Sequence, residues 1–379
     1  MALLSSNFES FGLDVGDRSL KAIFIRKKGT SLAIESHCTV PVQIGVLEQG
    51  EIKKPDELAA AIKKIFSTVQ GKKLNTRFAH ICLPETKTFI KRISINPAKP
   101  HELPAYVRDE LPNHIPIEPD DLYIDWKILE TDAQKRITSV LVGAIPKAVS
   151  DMYTSVLLSA GVKPMSLQVE AESILRSLLP LNQSTGEALA ILDIGAARSS
   201  FICFDKGSIQ FSVTMPFSGD GLTQEIAKKL QLSGDEAEKA KRICGLDPNE
   251  CKGEMIDVIK PTILELAHTI KRNNGFYEEH FSGAHKIKTL VVCGGGAYLK
   301  HFNETLAEVL PDLKIYTGNP LVNVARSRNR IISKNENGVT FDFLEAGHPR
   351  EDYNIPSSLL MRNTLNYTTA IGLALANIT

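Results

Sequence analysis

The spacing of hydrophobic positions changes along this chain, and the changes predict a succession of strands and helices. Runs of β-type residues bounded by turn residues predict strands at 11–15, 20–25, 30–42, 77–83, 88–95, 122–129, 139–145, 188–193, 209–215 and 288–293, and a glycine turn followed by a further strand within 194–204. Hydrophobic residues at helical spacing predict helices at 54–69, 148–160, 170–179, 222–232, 235–244, 261–281, 300–310 and 366–377. Strands and helices that alternate in this way indicate an α/β fold.

A proline-dense segment interrupts the first half of the chain. Six prolines fall between positions 97 and 119, and short helical and strand-like runs surround them. We interpret this segment as a small α+β insertion. Further along, the stretch 333–359 is polar, is punctuated by Gly and Pro, and has no period, so it is predicted to be a surface loop.

Composition narrows the classes of protein to which the chain can belong. Its 379 residues suggest two domains, and 44 basic against 44 acidic residues give a net charge of zero. That balance argues against general binding of nucleic acid, whereas a single nucleotide needs only a local site. No signal peptide or membrane span is predicted, because no apolar stretch is long enough. Six scattered cysteines, with Cys82, Cys203 and Cys293 predicted to be buried thiols, indicate a reducing cytoplasm.

One short motif occurs twice. Asp-Val-Gly at 14–16 and Asp-Ile-Gly at 193–195 each end a predicted strand, precede another strand, and lie 179 positions apart. Ser19 follows the first copy, and Ser199 and Ser200 follow the second. A glycine turn exposes backbone N–H groups that suit phosphate, and the aspartate would hold a hydrated Mg²⁺. A single copy is more often only a strand-ending turn, so the duplication carries the interpretation.

Three consecutive glycines at 294–296 follow the strand 288–293 and precede a helix. Such a loop lets the backbone approach a ligand closely at a helix N-terminus. It matches neither the G-x-G-x-x-G pattern nor the P-loop pattern, so by itself it is weak evidence.

In this order, two Asp-x-Gly hairpins and then a glycine loop, the sequence resembles the actin-like ATPase superfamily. The resemblance covers nearly the whole chain and implies duplicated, ribonuclease H-like α/β domains with ATP and Mg²⁺ in the cleft between them. It implies that Asp14 and Asp193 hold the metal and that Glu170 orients the attacking water. The nucleotide-binding residues that it implies are Gly16, Ser19, Lys21, Gly195, Ser199, Ser200, Glu238, Lys241, Gly294, Gly295 and Gly296.

Some of these assignments have simpler alternatives. Glu238 and Lys241, which would contact the adenosine, are also spaced as an exposed i,i+3 ion pair. Glu170 begins a predicted helix, where an acid is favourable for the helix dipole alone. Gly372 resembles the glycine that lets two connecting helices cross closely beneath the cleft.

The position of the insertion indicates a branch of the superfamily. It falls between the helix 54–69 and the strand 139–145, as in the FtsA/PilM branch, and segments 110–129 and 216–245 resemble PilM of type IV pilus assembly. The sequence has no membrane-binding helix after 366–377, which favours PilM over FtsA. The domains expected are a first domain at 1–183 and 360–379 with its insertion at about 76–138, a second domain at 184–332, and the loop 333–359.

The PilM resemblance implies a cytoplasmic ATP-binding scaffold with at most slow ATPase activity. Its expected partner is the cytoplasmic N-terminal peptide of a PilN-type inner-membrane protein, so that the membrane is reached only through the partner. We expect the peptide in a groove between the first domain and the insertion, lined by the strands 77–83 and 88–95. PilO, the assembly ATPase and the platform protein are further expected partners, nucleic acid is not expected, and a homo-oligomer is left open.

In the first hairpin, two residues depart from the PilM pattern. Asp17 and Arg18 stand where PilM proteins usually carry small hydroxyl side chains. Asp17 is expected to repel a terminal phosphate, with Lys21 and Arg18 offsetting its charge. These departures argue against fast hydrolysis. Two alternative functions stay open at this point: an FtsA-like division filament ATPase and a small-molecule kinase of the same fold.

Overall fold

The computed structural model of the chain describes residues 9–29, 31–96, 100–132, 134, 137–180, 187–324, 333–334, 340–341, 353–359 and 361–378. Its strands are β1 (Ser10–Val15), β2 (Ser19–Lys28), β3 (Ser31–Pro41), β4 (Leu47–Glu48), β5 (Glu51–Ile52), β6 (Gln70–Gly71), β7 (Phe78–Leu83), β8 (Phe89–Ile95), β9 (Leu122–Asp132), β10 (Ile137–Pro146), β11 (Lys163–Val169), β12 (Leu189–Ile194), β13 (Ser199–Asp205), β14 (Ser208–Met215), β15 (Thr289–Cys293), β16 (Lys314–Thr317), β17 (Ser333–Lys334) and β18 (Thr340–Phe341). Its α-helices are α1 (Pro55–Thr68), α2 (Leu103–Glu110), α3 (Lys147–Ser159), α4 (Glu170–Leu178), α5 (Gly219–Leu230), α6 (Gly234–Cys244), α7 (Glu254–His280), α8 (Phe302–Val309) and α9 (Thr368–Ala374).

Two sheets repeat one strand arrangement. The six-stranded sheet has the order β11-β7-β1-β2-β3-β6, in which β1, β2 and β3 form an antiparallel meander and β7 and β11 run parallel to β1. The larger sheet contains the matching order β16-β15-β12-β13-β14, with the same pattern of antiparallel and parallel pairs. The duplicated order confirms the α/β prediction and the internal repeat.

Two strands of the predicted insertion, β8 and β9, extend the second of these sheets together with β10, which directly follows the insertion. β7, which also falls within the predicted insertion, belongs to the six-stranded sheet instead. β8 pairs with β10, β10 pairs with β9, and β8 also pairs with β14, where Lys91 lies opposite Phe211. Helix α2 covers this part, with Val107 buried against Val140 and Val142. The insertion therefore belongs to the first half of the sequence but shares a sheet with the second half. The domain boundaries themselves stay a prediction.

Helices α4 and α9 lie between the two sheets. Ile174 of α4 belongs to the core of the larger sheet, and Ile371 of α9 belongs to the core of the six-stranded sheet. The two helices meet at Gly372, where a Cβ atom would lie 1.7 Å from the carbonyl oxygen of Ser173. Only glycine fits at this distance, as expected for Gly372 from the superfamily resemblance.

The longest helix begins earlier than predicted. The sequence pattern places its start at Pro261, whereas α7 begins at Glu254 and contains Pro261 in its interior. A proline there removes one backbone hydrogen bond and ordinarily ends or kinks a helix. Met255, Val258 and Ile259, which precede it, are buried in the core of the second half, and that burial offsets the missing bond.

Elements near the edges and the end of the chain differ from the prediction. β11 and β16 are not predicted, because they are partly exposed end strands with a weak hydrophobic pattern. α9 is shorter than the predicted 366–377, since 3₁₀ turns flank it on both sides. Of the predicted loop 333–359, positions 335–339 and 342–352 lie outside the described residues, whereas Tyr353 and Leu359 are buried. Among the described helices, none combines the length and the apolar character needed to cross a membrane.

A disulfide joins Cys244 to Cys251, whose Cα atoms are 5.7 Å apart. The sequence analysis does not predict this pair, because a reducing compartment favours free thiols and the spacing is not a known motif. The chain turns back after α6 at Gly245, which has a positive φ, and this turn brings the two cysteines together. Cys82 and Cys293 are buried free thiols, as predicted.

Gly372→Ala is expected to destabilise the fold. The new Cβ would overlap the carbonyl oxygen of Ser173, so α4 and α9 must move apart, at a cost of about 1–3 kcal/mol or more in the free energy of unfolding. Gly275→Ala is the matched control, because a Cβ on Gly275 of α7 meets no atom within 4 Å. That control should stabilise the protein by roughly 0.5–1 kcal/mol. Urea unfolding measures both changes, and equal effects at the two glycines would contradict the close helix crossing.

Candidate functional site

The two Asp-x-Gly motifs form hairpins with the same turn. The N–H of Gly16 donates to the carbonyl oxygen of Ser19 at 3.1 Å, and the N–H of Gly195 donates to that of Arg198 at 2.9 Å. Both bonds span three residues, so Ser19 of the first hairpin and Arg198 of the second occupy equivalent positions.

The strand register extends this equivalence. Asp14 lies opposite Lys21 across the first hairpin, and Asp193 lies opposite Ser200 across the second. Lys21 and Ser200 are therefore equivalent, and one hairpin carries a cation where the other carries a hydroxyl. The hydroxyl of Ser199 is buried and has no hydrogen-bond partner among the described residues. Ser199 lies opposite Ile194, so it is Ser200, and not Ser199, that shares a face of the hairpin with Asp193.

Each aspartate accepts a hydrogen bond from a buried thiol. Cys82 of β7 lies 3.8 Å from Oδ1 of Asp14, and Cys293 of β15 lies 3.4 Å from Oδ1 of Asp193. Burial raises the pKa of both thiols well above the ordinary value, so they remain protonated donors. From the sequence, these cysteines are predicted only to be buried apolar residues. The missed signal is their place near the end of the strand parallel to a hairpin strand: Cys293 is the last residue of β15, and Cys82 is the last but one of β7.

Glu170, the first residue of α4, completes an acidic cluster. Its carboxylate lies with Asp14 and Cys82 in a group whose ligand atoms are all within 4.8 Å of one another. Burial raises the pKa of Glu170 to about 8, with Asp193 and Asp14 contributing and Arg198 opposing the shift. Its Oε2 atom is buried and has no hydrogen-bond partner among the described residues.

The cluster has the chemistry of a site for a hard cation and an anion. Carboxylate oxygens are the ligands that Mg²⁺ prefers, and the unpartnered oxygen of Glu170 remains uncommitted. Burial also raises the pKa of Asp193. Lys21 stands beside Asp14, with Nζ 3.1 Å from Oδ2. Burial would lower the pKa of Lys21, but Asp14, Asp193 and Glu170 outweigh it and raise the pKa, so the ammonium stays charged. These residues fit Mg²⁺ and phosphate.

The glycines at 294–296 let the loop after β15 pack on the second hairpin. A Cβ on the first of them would lie 2.5 Å from Oδ1 of Asp193, and one on the last would lie 2.0 Å from Cγ2 of Ile194. A Cβ on the middle glycine would meet Oδ1 of Asn366 at 2.7 Å. The three glycines are therefore required by contacts with protein atoms, and these contacts hold the loop beside Asp193.

Comparison with known proteins agrees with this arrangement. Residues 12–335 match the model of the family described as type IV pilus assembly protein PilM. The chain belongs to the PilM family. A solved structure described as the PilM-PilN type IV pilus biogenesis complex is similar over 98% of this chain and 99% of that one, with a TM-score of 0.77 and 23% identity.

A second similar structure is that of the ethanolamine utilization protein EutJ from Carboxydothermus hydrogenoformans. It has a TM-score of 0.53 and 15% identity, over 97% of this chain and 89% of that one. At these identities the structures establish the fold. The chain has the actin-like ATPase fold, as the sequence analysis predicts.

Asp17, the first departure from the PilM pattern, is buried and fully engaged. Its carboxylate forms an ion pair with Arg198 of the second hairpin. It also accepts a hydrogen bond from the N–H of Gly50 at 3.0 Å. The side chain that the sequence analysis expects beside a terminal phosphate is therefore held by the opposite hairpin.

Arg18, the second departure, also reaches across the cleft. Its Nε lies 2.6 Å from Oδ2 of Asp220 at the start of α5, and both side chains are about one third exposed. Neither Lys21 nor Arg18 pairs with Asp17 directly, since Lys21 pairs with Asp14, Arg18 with Asp220, and Asp17 with Arg198. A cavity of about 370 Å³ opens here and is lined by Asp17, Arg18 and Asp220 among others.

Glu238 and Lys241 are paired with each other. Nζ of Lys241 lies 2.6 Å from Oε2 of Glu238, and it also donates to the carbonyl oxygen of Gly219 and the hydroxyl of Thr223 on α5. The i,i+3 ion pair of the alternative interpretation is therefore formed. The Lys241 side chain is only 13% exposed, however, so the pair fastens α6 to α5 rather than lying on a solvated face. A contact with adenosine stays a prediction for both residues.

Glu85 is a buried acid that the sequence analysis misses. It begins the 3₁₀ turn Glu85–Lys87, accepts a hydrogen bond from the hydroxyl of Ser212, and has its Oε2 atom buried without a partner among the described residues. Burial raises its pKa to about 7, with Asp193 contributing. The contact from Ser212 comes from β14, which is more than a hundred residues away in sequence. The residues next to Glu85 therefore give no signal that its carboxyl group is buried.

Glu85→Gln is expected to become more stabilising as the pH rises through neutrality. The pKa of Glu85 in the folded state, about 7, lies above its ordinary value of 4.5, so the folded protein binds more protons in this range and loses stability as the pH rises. The amide keeps the bond to Ser212 without a charge to bury, so its advantage over wild type should grow from about pH 5 to about pH 7 and then level off.

Urea unfolding across this pH range measures the effect. Glu265→Gln, at an exposed position of α7, is the control for removal of a glutamate charge. An advantage of Glu85→Gln that does not vary with pH would contradict a buried, ionisable Glu85.

Proposed function

We propose that this chain is an ATP-binding scaffold of type IV pilus assembly that binds the cytoplasmic N-terminal peptide of a PilN-type membrane protein. The observation that supports nucleotide binding best is the buried group of Asp14 and Glu170, with an unpartnered oxygen on Glu170, which lies near enough to Asp193 of the second hairpin for their charges to interact. Membership of the PilM family supports the role in pilus assembly.

The proposed ligand set follows from the geometry of the hairpins. Asp14 and Asp193 would hold Mg²⁺, which supplies positive charge to the phosphate oxygens. Lys21 and the N–H groups of the two hairpin turns would bind the phosphates. The remaining contacts to the nucleotide would come from Ser19, Ser199, Ser200, Glu238, Lys241 and the glycines 294–296.

We propose at most slow hydrolysis, because Asp17 and Arg18 stand beside the first turn in place of the small hydroxyl side chains of the PilM pattern, and both are held in ion pairs with the second half. We propose that the nucleotide chiefly biases closure of the cleft, and that closure changes the surface offered to partners.

Asp193→Ala is expected to weaken the binding of Mg-ATP at least about tenfold, because it removes a charged ligand from the proposed metal site. Isothermal titration measures this. Asp312→Ala, at an exposed position before β16, is the matched control and should bind as wild type does. Chelation of the divalent metal should weaken ATP binding by wild type to a similar extent as Asp193→Ala. Equal affinities of wild type and Asp193→Ala would count against the site.

The strands 77–83 and 88–95, which are expected to line the peptide groove, are β7 and β8. Both are interior strands of their sheets, so a peptide that binds by strand addition needs another edge. In the described residues, β9 and β11 are end strands. An end strand with exposed apolar side chains is suited to capture of an extended peptide. We therefore place the groove along β9 and β11.

Contacts between these elements support this placement. The hydroxyl of Tyr123 on β9 donates to Oδ1 of Asp151 on α3 at 3.1 Å, which links the insertion to the first half. Ile128 of β9 and Met165 of β11 are 53% and 41% exposed. Burial raises the pKa of Glu172 on α4, the helix that follows β11, and Asp125 of β9 contributes to the shift. The solved PilM-PilN complex supports the choice of a PilN-type partner.

Ile128→Asp and Met165→Asp are expected to weaken binding of the N-terminal PilN-type peptide about tenfold or more, since each places a charge at an apolar contact. Fluorescence anisotropy with the labelled peptide measures the affinity. Leu264→Asp, which changes an equally apolar residue that is 39% exposed on α7, should bind normally. If Ile128→Asp and Met165→Asp both bind the peptide as tightly as wild type, the groove does not lie along β9 and β11.

The same peptide would bring the scaffold to the cytoplasmic face of the inner membrane. PilO, the assembly ATPase and the platform protein are the further partners that we propose there, and a homo-oligomer stays a prediction. Family membership favours this role over an FtsA-like filament ATPase or a small-molecule kinase.

A further inference from the structure

Arg198 joins the two hairpins. It lies in the turn of the second hairpin, at the position equivalent to Ser19, and its guanidinium pairs with Asp17 of the first. The side chains of Arg198 and Asp17 are only 13% and 3% exposed. A buried arginine therefore stands between the two turns that the proposed function assigns to the phosphates.

The surroundings of Arg198 keep it charged. Burial alone would lower its pKa, but Glu170 and Asp17 outweigh burial and raise it. Its positive charge in turn acts on Asp193 and Glu85. Arg198 is thus a cation shared by acidic groups from both halves of the chain.

We propose that Arg198 binds the terminal phosphate of the nucleoside triphosphate, and that Asp17 holds its guanidinium in the cleft until that phosphate replaces it. The inference rests on the proposed nucleotide site. A guanidinium offers five N–H donors in a planar fork and binds phosphate oxygens in pairs. Asp17 keeps a second donor, the N–H of Gly50, so it does not lose every partner in the exchange.

The position of Arg198 selects the terminal phosphate. Arg198 lies between the two turns with Asp17 and Glu170, whereas Lys241 of α6, a predicted adenosine contact, reaches the second turn only through Gly219: Lys241 donates to the carbonyl oxygen of Gly219, whose N–H donates to Gly195. The phosphate tail would lead from α6 towards the hairpins, so its last phosphate is the one nearest Arg198. A diphosphate lacks that group, and Arg198 therefore distinguishes ATP from ADP.

Isothermal titration with Mg-ATP and with Mg-ADP tests the proposal. Arg198→Gln is expected to weaken ATP binding at least about tenfold and ADP binding less than about threefold. Asp17→Asn removes the competing carboxylate and should strengthen ATP binding about threefold or more. Arg18→Gln is the matched control, because it removes the ion pair with Asp220, which also joins the first hairpin to the second half. It should change the affinities for ATP and ADP to the same extent.

Two results would overturn the proposal while the nucleotide site stands. One is an equal loss of ATP and ADP affinity in Arg198→Gln, and the other is weaker ATP binding in Asp17→Asn, since either means that the ion pair only clamps the hairpins. If wild type binds neither nucleotide, the proposed function itself fails. If Arg198→Gln unfolds at a much lower urea concentration than wild type, the preference for ATP is measured on Arg198→Lys instead. This variant keeps the charge but not the paired donors. It should retain part of the preference for ATP, and an undiminished preference would overturn the proposal.

Discussion

The close approach of α9 to both β1 and α4 is the contact on which the rest of this structure depends. A Cβ on Gly12 of β1 would lie 2.2 Å from the carbonyl oxygen of Ala370, and one on Gly372 would lie 1.7 Å from that of Ser173. Two glycines thus allow a strand and two helices to pack at backbone contact distance. This packing joins the sheets and brings the ends of the hairpin strands to face one another.

That arrangement concentrates acidic groups where water is excluded. Asp14, Glu170, Asp193 and Glu85 meet near the hairpins, and burial raises the pKa of the last three. Gathering carboxyl groups in this way costs stability unless protons, cations or a metal ion compensate them. The thiols of Cys82 and Cys293 supply one hydrogen bond to each aspartate, but a thiol is a weak donor. The cluster is therefore built for a ligand of positive charge.

The two departures from the PilM pattern change how the hairpins meet each other. Where the pattern has small hydroxyl groups, this chain has Asp17 and Arg18, and each forms an ion pair with the second half. The buried pair of Asp17 and Arg198 compensates two charges that neither hairpin can stabilise alone. In the proposed nucleotide site, a phosphate would meet an arginine that already has a partner, so the ion pair between the hairpins would compete with the ligand.

Much of the fold follows from short-range pattern. Helix α1 has a clear hydrophobic face, and the duplicated Asp-x-Gly turns mark both hairpins, so the repeat and the positions of Asp14 and Asp193 are evident without a structure. The same pattern is misleading at Pro261, where burial of the preceding turn sustains a helix that local rules would end. The pattern does not predict β11 and β16, because partly exposed end strands have little contrast between hydrophobic and polar positions.

What only the tertiary structure decides are the contacts between residues far apart in sequence. Asp17 and Arg198 are 181 positions apart, Glu85 and Ser212 are 127 apart, and β8 joins β14 across the two halves. The sequence by itself determines which residues end strands, turn the chain and begin helices, because those preferences are set by neighbours within a few positions. Charge pairing, burial of a carboxyl group and the free edge of a sheet depend on which surfaces meet, and that is decided when the two halves close around α4 and α9.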